Sequence, residues 1–591
     1  MTAEPRTDSG WWRLAKALLL AAPALWTALL IWRNGVDVPW YDQWDGTCPL
    51  FEKMAAGTLG LGDFFAQHSE HRIFFPRLLT FALARLTHWN VRAELGMIWL
   101  LAVVMAGNLW QVRRITGSAG SRGGFWLLFA AFVLLFTPLQ YENWLWGFQI
   151  GFMLPLACVT ACVWLAPSLR APASFLVTMG LCTVSTFSIA SGFGCWLLCL
   201  PLLWFHPDGG GWARRKFWWL LWLGVFAANL VVYFHGYEKP SYHPSMLEPF
   251  RQPGLALHYS LAYLGAPFGF GSVFNPTTVA PVAGAALLLV LGLCAGYVLW
   301  QRRDAGLRAR TLPWLMLSLV AVFNGALTTV GRMGLPEGVS QALTSRYATF
   351  AIMLPIGLLF AGAAVFQHWR NRAPERSAGA GRTLAILITA LALLHALGSI
   401  ASLDTWSALH RRRLTTKSLV MLINQVDEPE ELAGFVHAIV PPLRDRANVL
   451  DHLGYLRPGL VKTPFASDLA DPAAPAGARY GELQQAGRTP DGQLAVTGWA
   501  VLPGQQGPAN AVLLTYDDIE GRPRLFALAV VGSPRSDIAG TLQDDRYLES
   551  GWGKVFRPGQ LPLGRHVIRA WAFDAETGHA YALAGATTLQ P

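Results

Sequence analysis

Asp42 and Asp45 stand three residues apart in YDQWD, directly after the first long apolar run of the chain. On a helix or turn that spacing puts both carboxylates on one face. A carboxylate there can act as general base, taking a proton from an acceptor hydroxyl. The competing role is capping of a short loop helix. Asp42, the closer of the two to the apolar run, is the expected base, with Asp45 second.

The motif HSEHR places His68, His71 and Arg72 at helical spacing with Glu70 between them. Two histidines and a carboxylate leave a divalent metal open, although the pattern is not a zincin motif and no metal ligand is assigned. Binding of an anionic substrate through Arg72 and the histidines fits better, with Glu70 as orienter or second carboxylate. Arg77 follows Pro76 at the start of an apolar run, where it either snorkels to headgroups or binds phosphate. Further on, Arg332, Arg346 and Tyr347 flank a Gly-containing stretch, and two guanidinium groups there would make a phosphate clamp, against the plainer role of interfacial anchors. In YENWLWGFQ, Glu142 and Gln149 could hydrogen-bond a sugar, while its Trp residues suit an aromatic belt.

These residues need a scaffold, and composition defines it. The chain has 591 residues, is 53% hydrophobic and carries 26 Trp. Apolar runs long enough to cross a bilayer core of about 30 Å recur over the first 400 positions, the mark of a polytopic membrane protein. Only 14% of residues are charged, yet Asp37–Arg77 concentrates charges interleaved with Trp40, Tyr41, Trp44, Phe64, Phe65, Phe74 and Phe75. So many rings suit an active-site loop held against a membrane domain better than a solvated loop. The net charge of +10 comes from Arg clustered in short loops between apolar runs. That is the pattern of loops facing anionic lipid, and nucleic-acid binding is not expected. Six of the seven cysteines fall in or at the ends of apolar runs, without a disulfide framework or a zinc spacing.

Eleven membrane helices are expected, near 17–32, 93–110, 125–138, 148–166, 173–187, 194–206, 217–234, 280–300, 311–330, 348–366 and 383–402. The run 17–32 reads as the first of them rather than as a cleaved signal. The Gly- and Pro-rich segment 255–275 reads as interfacial or re-entrant. Loop charge puts 33–92 and the C-terminus outside, but HRRRLTTK, with Arg411, Arg412, Arg413 and Lys417, falls on the wrong side for that assignment. Domains are expected at 1–402 (transmembrane), 403–478 (helical connector and linker) and 479–591. The last shows short β-rich runs suited to an all-β sandwich, a spacer or a glycan- or partner-binding module. Trp499 and Trp571 would be its binding platforms or, more simply, its core.

An acidic motif after the first helix, a long first outer loop, about a dozen helices and an appended outer domain resemble the GT-C superfamily of membrane glycosyltransferases that use polyprenyl-phosphate-linked sugars. More closely, YDQWD, HSEHR, YENWLWGFQ and SRY resemble an uncharacterised group of bacterial membrane proteins near those transferases, over about 1–402. The resemblance implies a GT-C-like fold and Asp42 as catalytic base. It puts Arg72, Arg332 and Arg346 on the lipid phosphate. It also implies a polyprenyl-phosphate sugar donor, an extracytoplasmic glycan or lipid acceptor, membrane lipids as surroundings, and a multi-pass place in the bacterial inner membrane. Many members carry two adjacent acidic residues in the first loop, whereas Gln43 follows Asp42 here. The second carboxylate would then be Asp45 or Glu70, and dependence on a divalent metal stays open. A flippase or transporter of a lipid-linked glycan, a glycan polymerase or ligase, and a scaffold are the other readings.

Overall fold

The computed structural model describes residues 10–117, 122–206, 212–269, 275–475, 478–557 and 559–590. The tips of two basic loops, 118–121 and 207–211, and the end of the 255–275 segment at 270–274 lie outside the described residues. Among the described residues nine helices are long and apolar enough to cross a membrane, and two shorter apolar helices, Ala171–Thr186 and Ala190–Trp204, lie where spans were expected near 173–187 and 194–206. The C-terminal region is built from antiparallel sheets.

The chain forms two compact units. One comprises Met1–Gly35, Gly60–Thr80 and Glu94–Trp406; the other comprises Val36–Leu59, Phe81–Ala93 and Ser407–Pro591. This division is not the linear one expected from composition, because the first loop contributes to both units.

The helical unit is joined by small residues and polar contacts, as expected where apolar surface alone gives helices no reason to associate. Asn108 Nδ2 donates to Thr160 Oγ1 at 3.0 Å and Trp164 Nε1 donates to Asn108 Oδ1 at 2.8 Å. The Trp314 and Phe360 rings stack at 3.9 Å. Helix starts carry their caps: Asn275 accepts from Thr277 N at the head of Pro276–Trp300, and Asp304 accepts from Leu307 N at the head of Ala305–Arg332.

The segment expected to be interfacial or re-entrant, 255–275, is helical over its described part. Pro253–Gly269 is a helix, and its Tyr259 and Ala262 to Gly269 are buried. Its glycines do not break it; they let it approach Pro276–Trp300. A Cβ at Gly265 would fall 1.8 Å from the Ala280 carbonyl oxygen, and one at Gly284 would fall 2.0 Å from that of Leu261.

The mixed unit has a single continuous logic. One sheet runs in the order Gly481–Arg488, Leu494–Leu502, Gly551–Val555, Val531–Ser533; the other runs Thr587–Leu589, His566–Phe573, Ala511–Asp517, Pro523–Ala529. In AVLLTYD five successive residues are buried. Val512 and Leu514 pack with Val496, Ala500 and Leu502 of the first sheet. Ala511 and Leu513 face the other way, into a core with Leu419, Leu422, Ile423, Val436 and Leu450 of the connector and Trp44, Phe51 and Trp89 of the first loop. A strand covered on both faces reads as a continuous apolar run. The loop segments sharing that core are part of the same compact unit as the sheets. Trp499 is 3% exposed, a core residue rather than a binding platform, and Trp571 Nε1 donates to Thr515 Oγ1 within its sheet at 3.2 Å.

The misplaced charges of HRRRLTTK are explained within this unit. The last apolar helix is one element of 48 residues, Pro374–Met421. Past Trp406 its basic residues find partners: Arg411 pairs with Glu549 at 2.5 Å, Arg412 donates to the Gly434 carbonyl at 2.6 Å, and Arg413 lies over the Trp40 ring at 3.2 Å. Arginines satisfied by protein are a poor topology signal.

Candidate functional site

HSEHR is a tight turn, not a helix. His68 and His71 exchange backbone hydrogen bonds, each 2.9 Å, and Ser69 takes a left-handed φ of 51°. A non-glycine residue held there is strained, and such strain tends to collect at functional sites. The turn separates its polar side chains. The His68 ring packs against Phe148 at 5.1 Å, while His71 Nδ1 accepts from the Ala190 backbone N–H at 3.2 Å. That acceptor role leaves the proton of a neutral His71 on Nε2, which lies 3.6 Å from Glu70 Oε1. Among the described residues, His68, Glu70 and His71 do not together form a set whose ligand atoms converge.

Glu70 is the centre of a polar cluster. Arg332 donates to its Oε1, Ser69 donates to its Oε2, and His243 Nε2 lies 3.2 Å from Oε2. Ser69 is also 2.5 Å from the Tyr242 hydroxyl, and Tyr233 OH donates to the Glu70 carbonyl at 2.7 Å. Burial alone would raise the Glu70 carboxyl, but His71, His243, Arg332 and Ser69 outweigh it and hold the group well below the usual carboxylate range. Burial pushes His71 down, with Arg332 and His243 acting the same way against Glu70. Glu70 is thus held as an anion among His71, His243, Arg332 and Ser69. Tyr242 and His243 were missed as site residues because an isolated histidine in a loop has no spacing signal; only its polar setting between apolar spans marked it.

A second cluster joins two motifs that are distant in sequence. Glu142 Oε2 accepts from the Arg346 backbone N–H at 3.0 Å and Glu142 Oε1 from the guanidinium at 3.4 Å, while Asn143 Nδ2 donates to the Arg346 carbonyl at 2.9 Å. The Arg346 guanidinium sits 5.4 Å from the Tyr347 ring centre, and Tyr347 OH accepts from Gln341 Nε2 at 2.9 Å. Glu142 thus holds Arg346 in place. Arg332 and Arg346 bracket one loop, and both act electrostatically on the Tyr259 hydroxyl. Gln149 is buried, and neither of its amide atoms has a hydrogen-bond partner among the described residues.

Two expected anion binders are corrected. Arg72 donates to the carbonyls of Tyr233, Phe65 and His235. Arg77 is buried and donates to the carbonyls of Asp63, Phe64 and Ala66 at the end of Leu61–Phe65. Both are satisfied by backbone, which suits cations at a helix C-terminus or a turn and leaves neither as a clamp or a snorkelling anchor.

Asp42 and Asp45 belong to the mixed unit. Asp42 occupies the N-cap position of Gln43–Gly46 but makes no side-chain cap hydrogen bond, so capping does not account for it. Tyr41, just before it, has a left-handed φ of 47° and an exposed ring. Asp45 Oδ1 lies 3.7 Å from Nε2 of the buried His437, whose ring also meets Tyr41 at 5.6 Å. His437, like His243, carried no local signal.

No protein-family model, curated protein or solved structure matches the chain.

Proposed function

We propose that the chain is a membrane glycosyltransferase, with a GT-C-like bundle of about eleven spans, a β-sandwich in its C-terminal region, and its mixed unit outside the bacterial inner membrane. The reading is that it moves a sugar from a polyprenyl-phosphate-linked donor to an extracytoplasmic glycan or lipid acceptor. The observation that carries it is the pair Arg332 and Arg346, two partly exposed guanidinium groups set at the ends of one loop within electrostatic reach of the same tyrosine hydroxyl. Each is oriented by a carboxylate, Glu70 or Glu142, and an oriented guanidinium binds phosphate by two parallel N–H bonds. Asp42, the first carboxylate of the YDQWD motif after the opening apolar helix, supplies the acceptor-side base in this reading. The lipid phosphate would leave as the acceptor hydroxyl, its proton passing to Asp42, attacks the sugar.

Binding of a polyprenyl phosphate to the purified chain tests the phosphate half. Arg346→Ala should weaken it more than Arg346→Lys, because lysine keeps the charge and loses the fork. Wild-type binding by both variants would make Arg346 an anchor and remove the clamp.

A further inference from the structure

Four cysteines converge inside the helical unit. Cys162 lies on Ile150–Ser168, Cys182 on Ala171–Thr186, and Cys195 and Cys199 on Gly194–Trp204. All four are buried with free thiols, and their sulfurs lie within 4.8 Å of one another. Cys182 Sγ is 3.3 Å from Cys195 Sγ and 4.0 Å from Cys199 Sγ, and Cys195 Sγ is 3.9 Å from Cys162 Sγ.

The local fold explains the meeting. Cys195 and Cys199, four apart on one helix, share a face. The turn before them brings that face back onto Ala171–Thr186, and it depends on glycine: a Cβ at Gly192 would fall 1.9 Å from the Ser185 carbonyl oxygen. No linear motif announces the group, because three helices supply it.

A buried cysteine by itself is a small apolar side chain. Cys48, Cys158 and Cys294 fit that description and do not join the group. Mutual spacing sets the four apart. A tetrahedral ion with metal–sulfur bonds of about 2.3 Å holds its sulfurs about 3.8 Å apart, and the distances here, 3.3, 3.9 and 4.0 Å, straddle that value. A multi-iron cluster would force the sulfurs further apart. Four sulfurs with no oxygen or nitrogen in the set select a thiophilic cation.

We propose that Cys162, Cys182, Cys195 and Cys199 bind one zinc(II) ion, a closed structural site that staples three helices together. Four protein ligands leave no open position for substrate, which separates this site from any transfer chemistry. Cys195 also lines a small cleft of mixed character, with Ser185, Ser191 and Asn324 beside Leu156, Val159 and Leu198. Each thiol that ligates as thiolate releases one proton. All four ligate as thiolates, so binding releases four protons and the filled site carries a net charge of −2.

The test is elemental analysis of the full chain purified in detergent and dialysed after loading with zinc. One zinc per chain is expected, unchanged in Cys294→Ser and reduced at least tenfold in Cys182→Ser/Cys195→Ser. Because that double variant could misfold, the wild type is also stripped with a chelator and loaded with cobalt(II), for which thiolate charge-transfer and tetrahedral d–d bands are expected. Wild-type chain that holds no zinc after loading and shows no such bands overturns the proposal, as does equal zinc in a folded double variant.

Discussion

The Arg332 guanidinium donates to Glu70 Oε1, tying the end of the helix Ala305–Arg332 to the turn His68–His71. Both side chains are mostly shielded from solvent, so removing one partner strands the other. Glu70→Gln should lower the melting temperature of the detergent-solubilised chain by several degrees, corresponding to about 3 kcal/mol. The double variant Glu70→Gln/Arg332→Gln should lose less than the sum of the two single changes. Strict additivity would mean that the pair is not coupled.

The same cluster sets an acid limit. His71 and Glu70 both titrate below their ordinary values of 6.5 and 4.5 in the folded chain. The unfolded chain therefore binds more protons, and stability falls with pH, first below about 6.5 and again below about 4.5. Melting temperatures from pH 7.5 down to 4 should decline in that order, and His71→Gln should remove part of the upper step. A profile that is flat or rises on acidification would contradict the assignment.

In the mixed unit, Lys554 Nζ reaches Glu428 Oε2 at 2.6 Å and Glu431 Oε1 at 2.5 Å, and Glu428 Oε1 also accepts from Leu528 N at 2.9 Å. Glu428 and Lys554 are 1% and 8% exposed. Lys554→Ala leaves a buried carboxylate without its cation and should cost about 3–5 kcal/mol. Lys554→Ala/Glu428→Gln should recover part of it. Denaturant unfolding followed by tryptophan fluorescence measures both, and a loss under about 1 kcal/mol for the single change would show that the pair carries little.

Shared burial of the first loop and the sheets makes a topological prediction. Single cysteines at Lys53 and Gln505 should be labelled from the same membrane face, the outer one, and a cysteine at Arg303 from the other. Opposite labelling of Lys53 and Gln505 would contradict the shared core.

Hydropathy made the long spans legible, because a bilayer requires about 20 apolar residues per crossing whatever surrounds them. It could not show that Gly265 and Gly284 serve a close helix crossing rather than a break. Nor could it show that Arg411 to Arg413 continue a helix onto protein partners. In the candidate site Glu70, Arg332, Glu142 and Arg346 were visible as isolated charges. Their pairing was not, since the partners are about 200 to 260 residues apart and only the tertiary fold joins them. Arg72 and Arg77 looked like the other arginines because sequence does not reveal which backbone carbonyls lie within reach.

The most direct test of the account is turnover by Asp42→Asn in sugar transfer from polyprenyl-phosphate donors with purified protein, normalised to folded chain. Asparagine keeps the size and hydrogen bonding of the side chain and caps as well as aspartate, but it cannot take a proton. If Asp42 is the base, turnover falls by about two to four orders of magnitude, with melting temperature and donor binding unchanged and a smaller loss for Asp45→Asn. Near-wild-type turnover for Asp42→Asn would contradict the account at its centre.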